Sequence, residues 1–455
     1  MHLDTKRKYR NMTKDEILEL VSEARVRSIS LWFTDIIGNV KSVMIPSGEL
    51  ESVIENGIWF DGSSIEGFAR IAESDMVLRP DLNTFGLLPY TDSLQDRTAR
   101  LIGNVYTPNG EPFIGDPRYA LQRALQEAEE MGYRYMTGME LEFFLFNTDE
   151  HGQPILNAPQ DNAGYFDISN EPSHVVRREM VSALEAIGIG VASSHSETGH
   201  GQHEIDFHYA DALVSADHIV TTRVILKTIA QQHGLHCTFM PRPIADMPGS
   251  GMHTHQSLHD LKTGENLFSD PDQAYGLSAV AQHFLAGQLS HARGMSAILS
   301  PLVNSYKRLG TSFEAPVFVT WAHINRGALI RVPGVSVGKE AHTRLEMRSP
   351  DPSSNPYLMM AVMLATGIEG IKQKLPLPEP HEEIYLARPQ ERLRPTNMLP
   401  TSLGEALDAL GLDDVVQGAL GPYISDRYVT AKRQEFEEYN RQVTDWELKR
   451  YLNRF

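Results

Sequence analysis

The spacing of apolar residues predicts that helices and strands alternate along most of this chain. Near the N-terminus, Ile17, Val21 and Ala24 repeat every three or four positions, as residues do on the buried face of a helix. Thr13 and Glu16 fit a capping box at the start of this helix, in which each side chain accepts a hydrogen bond from the other residue's backbone. Strand-like runs such as SISLWFTDIIG and VKSVMIP follow, and helical patterns later alternate with further apolar strands.

A stretch rich in turn-forming residues divides the chain into two unequal parts. Residues 104–116 read NVYTPNGEPFIGD, and their last residue, Asp116, is followed by Pro117, a combination typical of a helix start. We therefore place a domain boundary near this stretch, which gives domains 1–110 and 111–455. At the far end, EFEEYNRQVTDWELKRYL predicts one amphipathic terminal helix.

One strand-like segment carries charge inside an apolar run. GMELEFFLF, residues 138–146, contains Glu140 and Glu142 separated by one leucine. Side chains alternate faces along a strand, so the two carboxylates lie on one side, about 6.6 Å apart. Two negative charges at that separation repel by roughly 2.5 kcal/mol at an effective dielectric constant of about 20. Taken alone, the segment fits either an antiparallel strand with one wet face or a cation site built from carboxylates.

Composition and charge restrict the classes of function. The chain has 455 residues, of which 41% are hydrophobic, and a formal net charge of −18 at pH 7. That charge argues against nucleic acid or an anionic membrane as a partner. The single cysteine, Cys237, excludes an intrachain disulfide and a cysteine-based zinc site. Because the sequence shows neither an apolar signal core nor a run of about 20 apolar residues, we expect a soluble, cytoplasmic protein.

Four further segments hold charged or imidazole side chains within structured sequence. Each has an ordinary structural explanation when taken singly: a satisfied histidine pair, a salt-bridge ladder with a glutamate between arginines, or solvated arginines on strands. The segments are HSETGHGQHEIDF with Glu197 and Glu204, PGSGMHTHQSL with His253 and His255, NRGALIRVP with Arg326 and Arg331, and TRLEMRSPDP with Arg344, Glu346 and Arg348.

Together, these side chains indicate a shared chemistry. Carboxylates with an occasional imidazole suit hard divalent ions such as Mg²⁺ or Mn²⁺. Four arginines suit phosphates and a substrate carboxylate, which guanidinium groups bind with two hydrogen bonds. Cations combined with arginines are typical of phosphoryl transfer from ATP. The sequence carries neither a Walker A nor a protein-kinase signature, so a nucleotide site would be of another kind.

Eight motifs, taken in order, resemble those of the bacterial-type (type I) glutamine synthetases. They cover nearly the whole chain, and the chain length is similar to that of the shorter alpha subdivision of this family. The motifs are FDGSSIEGF, GMELEFFLF, GQHEIDF, PGSGMHTHQSL, NSYKRL, FEAPV, NRGALIRVP and RLEMRSPDPSSNPYL.

The resemblance implies an α+β fold with a small N-terminal β-grasp-like domain and a large catalytic domain. The latter would contain a curved antiparallel sheet flanked by helices. The implied reaction converts glutamate and ATP into γ-glutamyl phosphate, from which ammonia displaces the phosphate. The implied assembly is a homo-oligomeric dodecamer of two hexameric rings, with active sites between neighbouring subunits.

The resemblance also favours the cation interpretation of the strand with two glutamates. Two adjacent divalent cations, Mg²⁺ or Mn²⁺, would attract both carboxylates and so offset the repulsion between them. The ligands implied are Glu142, Glu197 and Glu204 for one ion, and Glu140, His253 and Glu346 for the other.

Substrate-binding residues are implied by the same resemblance. Those for glutamate are Arg308, Arg348, Gly249, Glu142 and His253. Those for ATP are His255, Ser257, Arg326, Arg331 and Arg344, of which Arg326 would also neutralise the transferring phosphoryl group.

A second set of implied residues concerns ammonia and regulation. Asp61 would bind ammonium and take its proton, since ammonium itself is not a nucleophile. Ser64, Tyr165 and Glu197 would complete that pocket, and Glu314 would shield the acyl phosphate from water. Arg70 would take part in feedback inhibition by glutamine, although a surface ion pair explains it equally well.

Several positions depart from the family pattern and leave the amine substrate open. They are Pro248, Ala192, Ser196, Ala322 and Ile324, and all six implied metal ligands are untouched. A related enzyme could join glutamate to a polyamine, methylamine or ethanolamine instead of ammonia. A non-catalytic, nitrogen-sensing binding protein is the third interpretation.

Overall fold

The computed structural model describes most of the chain, and two sheets organise it. The described residues are 11–63, 65, 75–91, 97–159, 161, 163–167, 172–310, 315–336, 338–382 and 398–455. Within these ranges, no helix is long and apolar enough to cross a membrane.

The N-terminal part folds around a five-stranded mixed sheet. Its strand order is β2-β1-β5-β4-β3, in which β1 and β5 run parallel and the other neighbours antiparallel. Helices α1 (Lys14–Glu23) and α2 (Leu50–Asn56) accompany the sheet, and the predicted capping box of Thr13 and Glu16 is confirmed. The strands are β1 (Ser28–Thr34), β2 (Val40–Pro46), β3 (Ile58–Asp61), β4 (Asp75–Leu87) and β5 (Thr98–Tyr106).

The rest of the chain contains a ten-stranded sheet built around one long strand, β6. This strand pairs with β7, β9, β10, β11 and β12, and the path through the sheet runs β13-β14-β15-β12-β6-β9-β8. All described pairings are antiparallel except that of β13 with β14. The strands are β6 (Tyr133–Thr148), β7 (Pro154–Pro159), β8 (Val191–Ser196), β9 (Gln202–Phe207), β10 (Ala210–Asp211), β11 (Leu235–Thr238), β12 (Met252–Asp260), β13 (Trp321–Ala322), β14 (Ile330–Arg331) and β15 (Leu345–Met347).

Helices pack against the larger sheet and against one another around a continuous apolar core, which confirms the predicted α+β class. Asp116 caps α3 with Pro117 in its first turn, as the sequence predicts. The helices are α3 (Pro117–Glu130), α4 (Pro172–Ala186), α5 (Ala212–Gln232), α6 (Ala279–Ser290), α7 (Ala292–Leu299), α8 (Ser305–Leu309), α9 (Pro356–Gln373), α10 (Leu403–Gly411), α11 (Asp414–Leu420), α12 (Pro422–Asn440) and α13 (Asp445–Tyr451).

The prediction of one amphipathic terminal helix is wrong, because two helices, α12 and α13, form there. The chain leaves the helical path after Asn440, and Thr444 begins the next helix with a second capping box to Glu447. A capping box satisfies backbone N–H groups that a continuous helix would satisfy internally, so it marks a helix start. The sequence TDWE carried that signal.

A buried charge network joins the smaller sheet to the helices behind the larger one. The guanidinium of Arg118 on α3 donates two hydrogen bonds to Asp217 on α5, at 3.0 and 2.9 Å. It also donates to Asp81 on β4 at 2.8 Å and to Asn104 on β5 at 2.7 Å. Tyr357 on α9 donates to Asp217 at 2.7 Å. Every hydrogen bond of this network is charge-assisted or buried, so the network fixes the two parts of the chain against each other.

Replacing Arg118 with alanine should lower the stability of the protein by about 3–5 kcal/mol, because two carboxylates would lose their buried partner. The matched control is Arg134→Ala, which removes an exposed pair with Asp211 and should cost about 0.2–1 kcal/mol. Thermal unfolding at one protein concentration measures both. Similar shifts for the two variants would contradict the structural role of the network.

Candidate active site

The candidate site lies on the face of the larger sheet where β6 carries Glu140 and Glu142. Glu142 lies directly opposite Glu204 on β9, and Glu204 lies opposite His195 on β8. Residues directly opposite each other in antiparallel strands point to the same face, with Cβ atoms about 5 Å apart. The register therefore places two carboxylates and one imidazole in a row across three strands.

A second row crosses the sheet beside the first. Glu140 lies opposite His253 on β12, and the next same-face residue of that strand, His255, lies opposite Glu346 on β15. Arg331 on β14 lies opposite Glu346 in turn. Side chains that are far apart in the sequence thus meet on one surface.

Two cavities gather most of the predicted site residues. The first has a volume of about 510 Å³ and the second of about 530 Å³. The predicted residues that line the first are Glu140, Glu142, Tyr165, Glu197, Glu204, Gly249, His253, Arg308, Arg326, Arg331, Glu346 and Arg348, and those that line the second are His255, Ser257 and Arg344.

Glu140, His253 and Glu346 form the first group that could hold a cation, with ligand atoms within 4.8 Å of one another. His253 Nδ1 lies 3.1 Å from Glu140, and His255 Nε2 lies 2.7 Å from the same carboxylate. Burial alone would raise the pKa of Glu140, but hydrogen bonds from the two imidazoles hold this pKa well below its usual value. Burial and the charge of Arg348 lower the pKa of His253, so its ring stays neutral, as a metal ligand must be.

His195, Glu197 and Glu204 form the second such group, again with ligand atoms within 4.8 Å. Glu142, expected in this group, lies beside it in the same cavity. Burial and the charge of Glu197 raise the pKa of Glu142 to about 8. Burial and the charge of Glu142 raise the pKa of Glu204 to about 12. Carboxylates confined in this way repel one another, and a cation among them would reverse the sign of that interaction.

The donor atoms of both groups fit a hard divalent cation. Carboxylate oxygens predominate, with one imidazole nitrogen in each group, which is the donor set of Mg²⁺ or Mn²⁺ sites. One further oxygen, Oδ1 of Asp206, lines the first cavity, is buried and has no hydrogen-bond partner among the described residues. Such an oxygen is expected where a cation or a polar substrate binds.

The arginines of the site differ in their partners. Arg331 donates to Glu346 at 2.8 Å, and Arg348 forms a short ion pair with the same carboxylate. Glu346 therefore does belong to a salt-bridge ladder, but with these two arginines and without Arg344. The guanidinium of Arg344 donates to His255 Nδ1 at 3.2 Å and so belongs to the second cavity.

Arg308 is buried and lines the first cavity. It donates to the carbonyl oxygens of Ser349 at 2.9 Å and Arg348 at 3.0 Å, which fixes the plane of its guanidinium. Gly249 and Gly251 leave room for it, since a Cβ at either position would lie within about 3 Å of its side chain. These contacts position a cationic group at the cavity, where a carboxylate of a substrate would find it.

Sequence analysis missed Gln202, a buried residue that links the cation groups to the glycine loop. Its Nε2 donates to Glu142 at 2.9 Å and to the Gly249 carbonyl at 3.1 Å, while its Oε1 accepts from Gly199 N at 3.1 Å. The last bond fixes which end of the amide is the donor. A single glutamine next to a glycine carries no distinctive sequence signal, so only the three-dimensional contacts identify it.

Glu382 is a second residue that sequence analysis missed. Its carboxylate accepts hydrogen bonds from three consecutive backbone N–H groups, those of His323, Ile324 and Asn325, at 2.7, 2.9 and 3.2 Å. Arg326 follows directly, so the carboxylate holds the loop that presents this arginine to the first cavity. The two segments lie far apart in the sequence, and no local pattern connects them.

Four predicted residues are not among those that line the two cavities in the described part of the chain. Ser64, Glu314 and Arg70 lie outside the described residues. Asp61 lies at the end of β3 in the smaller sheet, is exposed, and accepts a hydrogen bond from the backbone N–H of Ser63 at 2.8 Å. It lines neither cavity.

Comparisons with known proteins agree on one family along the whole chain. The family model for the glutamine synthetase β-grasp domain matches residues 25–108, and that for the glutamine synthetase catalytic domain matches residues 114–451. Curated glutamine synthetases from Clostridium saccharobutylicum and Thermus thermophilus are each 48% identical over 446 residues, 97% of this chain and 99% of the relative. One from Staphylococcus aureus is 45% identical over 450 residues, 98% of this chain and 99% of the relative.

Solved structures are similar as well. An ADP complex of GmaS matches with a TM-score of 0.85 at 31% identity, and GmaS without ligand matches with 0.86 at 32% identity. Each match covers 96% of this chain and 99% of the other.

Replacing Gly251 with alanine should reduce turnover by about a hundredfold or more while the protein still folds, because displacement of site groups by about 1 Å has effects of that size. The added Cβ would lie 2.6 Å from Arg308 Nη2, 3.0 Å from His253 Nε2 and 3.1 Å from Glu142 Oε1. Gly48→Ala is the control, because nothing lies within 4 Å of its Cβ position. Steady-state kinetics and circular dichroism of both variants check the prediction, and an active Gly251→Ala protein would contradict it.

Proposed function

This chain belongs to the glutamine synthetase family. From that membership we propose which residues of the two cavities bind the substrates and cations when ammonia is joined to glutamate. The protein is a glutamate–ammonia ligase that uses ATP and divalent metal and proceeds through γ-glutamyl phosphate. The observation that carries the proposed site is the meeting of two carboxylate–imidazole groups and four arginines in one cavity. The β-grasp assignment of the smaller domain is likewise confirmed.

Two cations, Mg²⁺ or Mn²⁺, would be held on the face of the larger sheet. Their proposed ligands are Glu142, Glu197 and Glu204 for one, and Glu140, His253 and Glu346 for the other. When bound, such ions neutralise phosphate charge and orient the transferring group. The proposal is supported by the donor atoms present and by the repulsion among Glu142, Glu197 and Glu204 that a cation would relieve.

The chain's own cationic groups would bind the two anionic substrates. Arg308 and Arg348, with Gly249, His253 and Glu142 beside them, would hold glutamate in the first cavity. The hydrogen bonds that fix Arg308 support this role, because an arginine whose plane is already set loses less freedom on binding a carboxylate.

ATP would extend from the second cavity to the first. His255, Ser257 and Arg344 line the second cavity and would contact the nucleotide. Arg326 and Arg331 line the first and would clamp the phosphates. Arg326 would also stabilise the charge of the transferring phosphoryl group, since it lines the cavity that holds both cation groups.

The ammonium pocket would be completed by a residue of the neighbouring subunit. We propose that Asp61 binds ammonium and takes its proton, with Ser64, Tyr165 and Glu197 around it, and that Glu314 excludes water from the acyl phosphate. The position of Asp61 on the smaller sheet, exposed and away from both cavities of its own chain, supports a site shared between subunits. The proposed assembly is a dodecamer of two hexameric rings.

Three further assignments stay proposals. The division into domains 1–110 and 111–455 is supported by the gap between the two matched family models. A role of Arg70 in feedback inhibition and a cytoplasmic location rest on the sequence.

An amine panel tests the function directly. Phosphate release from ATP and glutamate should be fastest with ammonium, and methylamine, ethanolamine and polyamines should give much lower kcat/KM. The Glu142→Ala variant should release no phosphate with any amine while keeping its oligomeric state, because a cation ligand is lost. A higher kcat/KM with a larger amine would show that this amine, and not ammonia, is the substrate. Normal turnover of Glu142→Ala in saturating Mg²⁺ or Mn²⁺ would exclude Glu142 as a metal ligand.

Mixing of two inactive variants tests the shared site. Asp61→Ala and Glu142→Ala subunits should each be inactive alone. In randomly mixed rings, about a quarter of the interfaces should combine an intact Asp61 with an intact Glu142, so activity should return toward about a quarter of the unmodified enzyme. Mass spectrometry would verify the mixing. Rings that are mixed but still inactive would show that each site lies within one chain.

A further inference from the structure

One imidazole of the second cation group has no part in the two ligand sets proposed above. His195 on β8 lies directly opposite Glu204, which lies directly opposite Glu142, so it ends the row of carboxylates on that side of the sheet. Its ring lines the same cavity as both glutamates. The ligand atoms of His195, Glu197 and Glu204 lie within 4.8 Å of one another.

The ring of His195 is held in one orientation. Its Nδ1 lies 3.3 Å from the carbonyl oxygen of Ser196, which leaves Nε2 toward Glu204. Two aromatic rings contact the imidazole in edge-to-face arrangements. The centroid of the imidazole lies 5.6 Å from that of the Tyr165 ring and 4.6 Å from that of the Phe166 ring.

Phe166 adopts a left-handed backbone conformation, with φ of 61°, to make this contact. That conformation is costly for a bulky residue and is kept where the surroundings demand it, often at functional sites. The backbone N–H of Phe166 donates to the Ser196 carbonyl at 3.2 Å, so the aromatic pair is tied to the end of β8. The packing therefore fixes the imidazole before any ion binds.

One distance in this group matches that between two adjacent ligands of a small divalent ion. Nε2 of His195 lies 3.1 Å from Oε1 of Glu204. Bonds of about 2.1 Å at right angles place neighbouring ligand atoms about 3 Å apart. A neutral imidazole whose Nδ1–H donates to the Ser196 carbonyl presents the lone pair of Nε2 on the side of Glu204, where a cation could accept it.

We propose that His195 is a ligand of the cation held by Glu197 and Glu204, so that each of the two cation sites contains one imidazole. The inference rests on the proposed function, because it completes one of the two metal sites proposed there. An imidazole in this position makes the site more selective for transition ions over Mg²⁺, since nitrogen ligands favour them.

Titration with Mn²⁺, followed by electron paramagnetic resonance without nucleotide, tests the assignment through binding alone. His195→Asn should lower the Mn²⁺ affinity of one of the two sites about tenfold or more. Mutation of residues that support a metal site typically lowers metal affinity by about that factor. Competition should show a larger loss for Co²⁺ than for Mg²⁺. The matched control is His233→Asn, which removes an imidazole paired with Glu179 on another part of the chain and should leave Mn²⁺ binding unchanged. Unchanged Mn²⁺ binding in His195→Asn would overturn the proposal.

A second measurement keeps His195 in place and so does not depend on how its variant folds. In His253→Asn, the imidazole of the other site is gone, and Mn²⁺ bound at Glu197 and Glu204 should still show ¹⁴N coupling in pulsed spectra. Bound Mn²⁺ without that coupling would overturn the role of His195 alone. Unchanged Mn²⁺ stoichiometry in Glu204→Gln would instead overturn the proposed cation site itself, together with the ligand added to it.

Discussion

The register of β6 against β9 and β12 is the constraint on which the site depends. A shift by one residue would move every side chain of β6 to the opposite face. Glu140 and Glu142 would then point into the core. Leu141 and Phe143, which are fully buried in the actual register, would point into the cavity. Burial of a large apolar side chain contributes about 1.5–3 kcal/mol, so the core side of the strand holds the glutamates in register.

The same arrangement explains why the site concentrates charge that a protein normally avoids. Burial and the charge of Glu197 raise the pKa of Glu142, and burial and the charge of Glu142 raise the pKa of Glu204. Arg308 is buried and lines the same cavity, with its guanidinium fixed by backbone carbonyls. In such a poorly solvated place, interactions between charges are stronger than in water. The repulsion among the free carboxylates and the attraction of a bound cation or anionic substrate to the site are therefore both strengthened. The core supplies the rigidity that keeps these groups apart until their ligands bind.

Individual residues show how far local patterns reach. The capping box at Thr13 and the start of α3 at Asp116 were predicted, because each depends on neighbours within a few positions. The break before α13 was missed although Thr444 and Glu447 carry the same signal, since the amphipathic pattern across it dominated the interpretation. Gln202 and Glu382 could not be predicted, because their partners come from other strands and loops.

What the sequence determined by itself was the chemistry: the carboxylates, imidazoles and arginines of the site, and the same-face placement of Glu140 and Glu142. Local spacing determines which side of a strand a residue occupies, so these features needed no tertiary information. Only the tertiary structure decided which strands are neighbours. It placed Glu204 and His195 beside Glu142, paired Glu346 with Arg331 and not with Arg344, and left Asp61 outside its own chain's cavities. The physical reason is that strand pairing depends on packing of the whole core, whereas strand periodicity is a property of adjacent residues.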